Sequence, residues 1–252
     1  PDPNQGLLQP PSIEDFRQLL GSLSEKYHNI LVILLSSHLS LAYHNANQAA
    51  HQLRGAVSIQ VIDSQTIGAG LGMLVQVAVE AIQNNIPFNQ INRLVRGMIP
   101  HVYTIFCLQS LHHLAHAGHL DPAQAAIGEM LGIIPLYVLD SGKLVPIQKA
   151  RNMRQSVDVL HEFVTEFEQV DHIALLHGPS PYEQEMRNLA ERLAQDFPGA
   201  PISEHTFGAG MTALTSAGLT TILFLFGSTQ STTYEFPPVV VTMVAFCELF
   251  SR

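Results

Sequence analysis

Residues Asn29–Leu35 form an unbroken apolar run rich in Ile, Val and Leu. A run of that length and branching fits a strand buried on both faces of a parallel sheet, because a half-exposed strand would alternate polar and apolar residues. A second such strand is expected at Val57–Asp63, and the residues between, Leu41–Leu53, have helical composition, as do Leu71–Gln83. Strand, helix, strand, helix is the pattern of a parallel α/β unit. In such sheets ligands gather where the strands' carboxyl ends meet the following loops, since helix N-termini and free backbone N–H groups point there. Two segments occupy that edge: Ser36-Ser37-His38-Leu39-Ser40 and Asp63-Ser64-Gln65-Thr66.

The flanking sequence extends the pattern. Ser12 can cap a helix in which Phe16, Leu19, Leu20 and Leu23 recur at helical spacing, with Glu14 and Asp15 in the first turn. A helix is expected at Gln90–Met98, a strand at Val102–Cys107 and helical stretches at Ser110–Ala117 and Pro122–Leu131. The apolar runs Ile133–Leu139 and Lys143–Gln148 flank Asp140-Ser141-Gly142, which reads as a β-hairpin, and an antiparallel element after a parallel half suggests a second domain. Amphipathic helices at Asn152–Phe167 and Pro181–Gln195 follow, with strands at Ile173–Leu176, Ile202–His205 and Thr221–Phe226. Residues Ser228–Arg252 mix turn and β-branched residues without a readable period.

Composition narrows the function. The chain has 252 residues, 46% of them hydrophobic, enough for a sizeable core. Only 13% are charged and the formal net charge is -9, so few cations are present to neutralise phosphates, and nucleic acid is an unexpected partner. Cys107 and Cys247 stand far apart without metal-type spacing, which fits a reducing cytoplasm. The longest apolar runs, Leu219–Phe226 and Val239–Phe250, fall short of the roughly 20 residues a membrane span needs. The chain opens at Pro1 rather than Met, which reads as a processed form or a fragment.

Four motifs invite a chemical reading. The serine turn follows a buried strand and precedes a helix, so its hydroxyls and the helix N–H groups suit a carboxylate or phosphate; simple capping by Ser40 uses the same donors, and both readings stay open. A nucleophilic serine is not indicated, because no G-x-S-x-G elbow occurs. Gly68-Ala69-Gly70-Leu71-Gly72 lies beyond its strand and has Met73 where a dinucleotide loop needs its third glycine, so turn geometry or close packing explains it better. His112 and His116 share a helical face near His113 and His119, but no H-E-x-x-H arrangement accompanies them, so solvated or interface histidines are favoured over a metal-dependent enzyme. The glycine turn Phe207–Thr212 suits either a pocket lining or a chain reversal.

Taken in order, several segments resemble the bacterial DegV family of fatty-acid-binding proteins: Pro11-Ser12 through Phe16, Ser36 through Tyr43, Val61-Ile62-Asp63-Ser64, Leu111-His112-His113-Leu114 with Ala117-Gly118-His119-Leu120, Ile134-Pro135-Leu136, and Asp140-Ser141-Gly142 ahead of Lys149-Ala150-Arg151-Asn152-Met153-Arg154. The resemblance runs from residue 8 to about residue 222. It implies a two-domain α/β fold: a parallel-sheet, three-layer α/β/α domain over residues 1–98, whose first strand would lie upstream of Pro1, and a mixed-sheet α/β domain over 99–252. It also implies a cytoplasmic carrier, not an enzyme, that buries one long-chain fatty acid between the domains and presents it to a fatty acid kinase, with no cofactor and no metal. The family's carboxylate-binding serine falls on Ser40, with Ser36, Ser37 and Arg151 as further candidates.

The sequence departs from the family at the head group. Leu8 stands where the family has threonine, Leu214 where it has histidine, and Leu41-Ala42 replace glycine-threonine. Each hydrogen bond lost to a charged head group is worth about 1.5–3 kcal/mol. The apolar tail's contribution, about 0.8 kcal/mol per buried CH₂, is untouched by those changes. A carrier that keeps its tail site is therefore one expectation, and a degenerate paralogue that binds no ligand is the other.

Overall fold

The computed structural model describes residues 10–53, 55, 57–108, 111, 115, 120–177, 183–206 and 219–226. The N-terminal half begins with α1 (Ile13–Ser24), capped by Ser12 in a reciprocal box with Asp15. The order continues with β1 (Asn29–Leu34), α2 (Ala42–Gln52), β2 (Ser58–Asp63), α3 (Gly68–Gln83) and α4 (Phe88–Met98). β1 and β2 pair in parallel, from Asn29 opposite Ser58 to Leu34 opposite Asp63.

Helices cover both faces of this pair. Phe16 and Leu20 of α1 pack with Ala42, Ala46 and Ala49 of α2 over Ile30, Leu34 and Val61. On the other face Leu74, Ala78 and Ala81 of α3 join Ile91 and Val95 of α4 over Ile62. The alanines let α2 approach closely, while full burial of a Phe or Leu side chain contributes about 1.5–3 kcal/mol.

Two sequence expectations change here. β1 was expected to be buried throughout, yet Leu31, Val32 and Ile33 are only half-buried. Among the described residues the sheet has two strands, so each carries an unpaired edge; Arg96 of α4 donates from Nη2 to the Val61 carbonyl at 3.1 Å on β2. The helix expected from Leu71 instead begins at Gly68, so the glycines form its first turns. Gly68 enters with φ +54°, a conformation that costs a glycine little.

After a 3₁₀ turn at Ile99–His101 the chain builds a second sheet. Its elements are β3 (Val102–Leu108), α5 (Pro122–Met130), β4 (Ile134–Asp140), β5 (Lys143–Ala150), α6 (Met153–Thr165), β6 (His172–His177), α7 (Glu183–Asp196), β7 (Ile202–Thr206) and β8 (Leu219–Phe226). The strand order is β5-β4-β3-β8-β6-β7, antiparallel except for the parallel β6–β7 pair. This is the mixed α/β sheet the sequence suggested. β4 and β5 are joined by Ser141 at φ 51° and Gly142 at φ 81°, the two positive angles of a type I′ hairpin turn.

One face of the second sheet is covered by α6 and α7, whose Val157, Leu160, Leu189 and Leu193 pack on Ile105, Cys107, Leu136 and Ile173. The opposite face carries Phe106, Tyr137, Ala174 and Leu176 and receives Ile67, Ala69 and Met73 from the start of α3. α3 therefore packs on both sheets, and an apolar seam runs between them. No helix among the described residues is long and apolar enough to cross a membrane.

Candidate functional site

The serine turn sits where the strand pattern puts it, beyond the carboxyl end of β1 and beside the loop that follows β2. The Ser36 amide donates to the Thr66 carbonyl at 2.9 Å, and the Ser64 amide to the Leu34 carbonyl at 2.9 Å, so the two loops continue the parallel ladder. Asp63 Oδ1 accepts from the Ser37 amide at 3.1 Å and the Gln65 amide at 3.0 Å. The segment Asp63–Thr66 thus supports the serine turn.

Ser36 is fully buried and bridges the two sheets: its hydroxyl donates to the Gly142 carbonyl at 2.7 Å, across 106 residues of sequence. The same oxygen accepts from the His38 amide at 3.2 Å, and the Ser36 carbonyl accepts from the amides of Leu39 and Ser40 at 3.0 and 3.1 Å. Every backbone N–H from Ser36 to Ser40 therefore has an intramolecular acceptor. The turn thus uses its own amides to hold its shape, which leaves the hydroxyls and the helix N–H groups as the donors an anion could meet.

The remaining donors lie one step further on. Ser40 is half-buried; its hydroxyl oxygen accepts from the Ala42 amide at 3.2 Å, which leaves the hydroxyl proton for another acceptor. Leu41, not Ser40, is the residue that caps α2, and it supplies no side-chain cap. The amides of Tyr43 and His44 in the first turn of α2 have no acceptor among the described residues. Together these groups form an uncharged donor set with the helix dipole behind it, suited to a carboxylate. Ser37 is half-buried beside it, and its hydroxyl has no partner among the described residues.

The structure does not bring Arg151 to this place. Ser36 meets the hairpin at Gly142, just before β5, whereas Arg151 follows the strand's far end. Gly142 and Arg151 flank the eight-residue strand, and nine steps at about 3.3 Å each put them about 30 Å apart. Arg151 is exposed, and its amide donates to Gln155 Oε1 at 2.9 Å at the start of α6. Leu8, Leu214, the glycine turn 207–212, the tail 228–252 and His112, His113, His116 and His119 lie outside the described residues. Among the described residues no group of three or more His, Cys, Asp or Glu is placed to hold a metal.

Two features went unread in the sequence. Gly142 touches the serine turn, and a Cβ there would collide with Ser36 Oγ and come within 3.2 Å of Gln65 Cα. Thr66 and Thr104 share a buried hydrogen bond, 3.1 Å between hydroxyl oxygens, deeper along the same seam. The seam itself is apolar: Phe106 and Tyr137 stack with centroids 6.1 Å apart, and burial pushes the Tyr137 phenol above its ordinary range.

Comparison with known proteins places this architecture. A family model described as "Uncharacterised protein, DegV family" matches residues 7–226. A DegV domain-containing protein of Clostridium perfringens is 28% identical over 194 residues, covering 75% of this chain and 68% of the relative. One from Staphylococcus aureus is 29% identical over 157 residues, covering 62% of this chain and 56%, a little over half, of the relative's length. Among solved structures, Bacillus subtilis DegV, described as a fatty acid binding protein, superposes with a TM-score of 0.71 at 25% identity over 86% of this chain and 77% of its own. The Streptococcus pneumoniae Fatty Acid Kinase (Fak) B3 protein, loaded with linoleic acid, gives 0.74 at 22% identity over 86% of this chain and 77% of its own. With a family match spanning all the described residues and the same fold in both solved structures, the chain belongs to the DegV family.

Proposed function

We propose that this protein binds a single long-chain fatty acid, with the carboxylate at the Ser40 hydroxyl and the first-turn amides of α2 and the acyl chain in the apolar seam between the sheets. The observation that carries the reading is the Ser40 hydroxyl, free to donate at a helix N-terminus whose next amides lack acceptors among the described residues, in a turn that Ser36 ties to the second sheet at Gly142. A carboxylate held by neutral donors at a helix N-terminus needs no lysine or arginine. The linoleic acid in the Streptococcus family member and the description of the Bacillus member as a fatty acid binding protein support this ligand class.

On this reading residues 1–98 and 99–252 are the two domains that enclose the ligand. Ser37 is an auxiliary donor to the carboxylate, and Ser36 is structural. The protein is a cytoplasmic carrier without catalysis of its own, and the pneumococcal relative's description as a fatty acid kinase B protein supports presentation of the acyl group to a kinase.

Titration of delipidated protein with oleic acid tests the reading. One-to-one binding that weakens at least about tenfold in Ser40→Ala is expected, the loss of one hydrogen bond to a charged group. Binding unchanged in that variant would remove Ser40 from the head-group site, and no binding at all would favour the degenerate paralogue suggested by Leu8 and Leu214.

A further inference from the structure

We infer that Ser36 and Gly142 are positioning residues: the hairpin turn of the second sheet holds the serine turn of the first, and through it sets the aim of Ser40. This rests on the fatty-acid reading above and adds a mechanism for the specificity of that site.

Ser36 meets the hairpin through Oγ and meets Ser40 through its carbonyl, which accepts the Ser40 amide at 3.1 Å. A single buried residue therefore fixes the distance between the hairpin and the proposed head-group donor. Its third tie, from the Ser36 amide to the Thr66 carbonyl, stops the turn from pivoting about the strand end. Because Ser36 Oγ has the His38 amide as donor and the Gly142 carbonyl as acceptor, its rotamer is determined from both sides.

Gly142 is required for this approach in two ways. Its φ of +81° is one that L side chains rarely adopt, and the space a Cβ would occupy is already filled by Ser36 Oγ and Gln65. A two-residue hairpin turn needs positive φ wherever it occurs. Contact with a serine turn on another sheet is not part of that requirement, so it is the contact, not the turn, that points to a role. The consequence is that head-group recognition depends on how the two sheets are seated. A shift at the hairpin moves Ser40, whereas the apolar lining of the seam is spread over many residues and tolerates it.

The test compares delipidated wild type, Ser36→Ala and Gly142→Ala for binding of oleic acid and of oleyl alcohol, which has the same tail and no carboxylate. The wild type is expected to prefer the acid by at least about tenfold. Both variants are expected to lose most of that preference while keeping alcohol affinity within a few-fold, and Leu160→Ala, a destabilising change in the remote core, is expected to keep it. If Gly142→Ala does not fold, Ser36→Ala decides alone. A preference that survives intact in Ser36→Ala, or one that falls equally in Leu160→Ala, overturns the positioning role and leaves fatty-acid binding standing. Wild type that binds neither ligand removes the fatty-acid reading, and this inference with it.

Discussion

The hydroxyl oxygens of Thr66 and Thr104 lie 3.1 Å apart, both residues buried, and join the loop after β2 to the first strand of the second sheet. Replacing either by valine leaves the other hydroxyl buried without its partner, which costs about 1–3 kcal/mol. Replacing both removes the penalty along with the bond. In urea unfolding, Thr66→Val/Thr104→Val should therefore be less destabilised than the sum of the single variants, and strict additivity would argue against the bond.

The cap of α6 gives a second prediction. Asn152 accepts the Gln155 amide at 2.9 Å, and α6 carries Val157, Leu160 and Val164 into the main core. Asn152→Ala should cost about 1 kcal/mol, and Asn152→Asp, which keeps the acceptor, much less. Equal losses in the two variants would place the cost elsewhere.

Stability should also fall in mild acid, for an identifiable reason. Burial, and secondarily the nearby His205, hold the His172 imidazole below its ordinary value of 6.5, while its Nε2 lies 2.8 Å from Ser203 Oγ. The unfolded chain takes up a proton that the folded protein resists. This contribution is therefore complete above the unfolded value and is lost as pH drops through the depressed folded value. His172→Gln, which keeps a polar group for Ser203, should shrink the difference in urea midpoint between neutral and mildly acidic solution. An unchanged difference would assign the acid sensitivity to other groups.

Much of this molecule is legible in its sequence wherever a local period or cap carries the information. The Ser12 cap, the helical spacing of Phe16, Leu19, Leu20 and Leu23, and the alternation of apolar runs with helical stretches lead to α1, β1, α2 and β2 with boundary shifts of about one residue. The start of α3 does not read out, because glycines that lower helix propensity on their own are tolerated where Ile67, Ala69 and Met73 find a second sheet to pack on. The half-exposure of β1 is equally hidden, since an apolar run is silent about how many strands flank it. At the site, the sequence locates the serine turn but not the division of labour within it. That division depends on the Gly142 carbonyl, 106 residues from Ser36, and on the complete pairing of the turn's amides, neither of which has a local signature.

Fatty-acid binding is decided by mass spectrometry of lipids extracted from the denatured, freshly purified protein. A long-chain fatty acid is expected at close to one per chain, depleted in Ser40→Ala prepared in the same way. Protein that folds normally yet yields no bound acyl chain would contradict it.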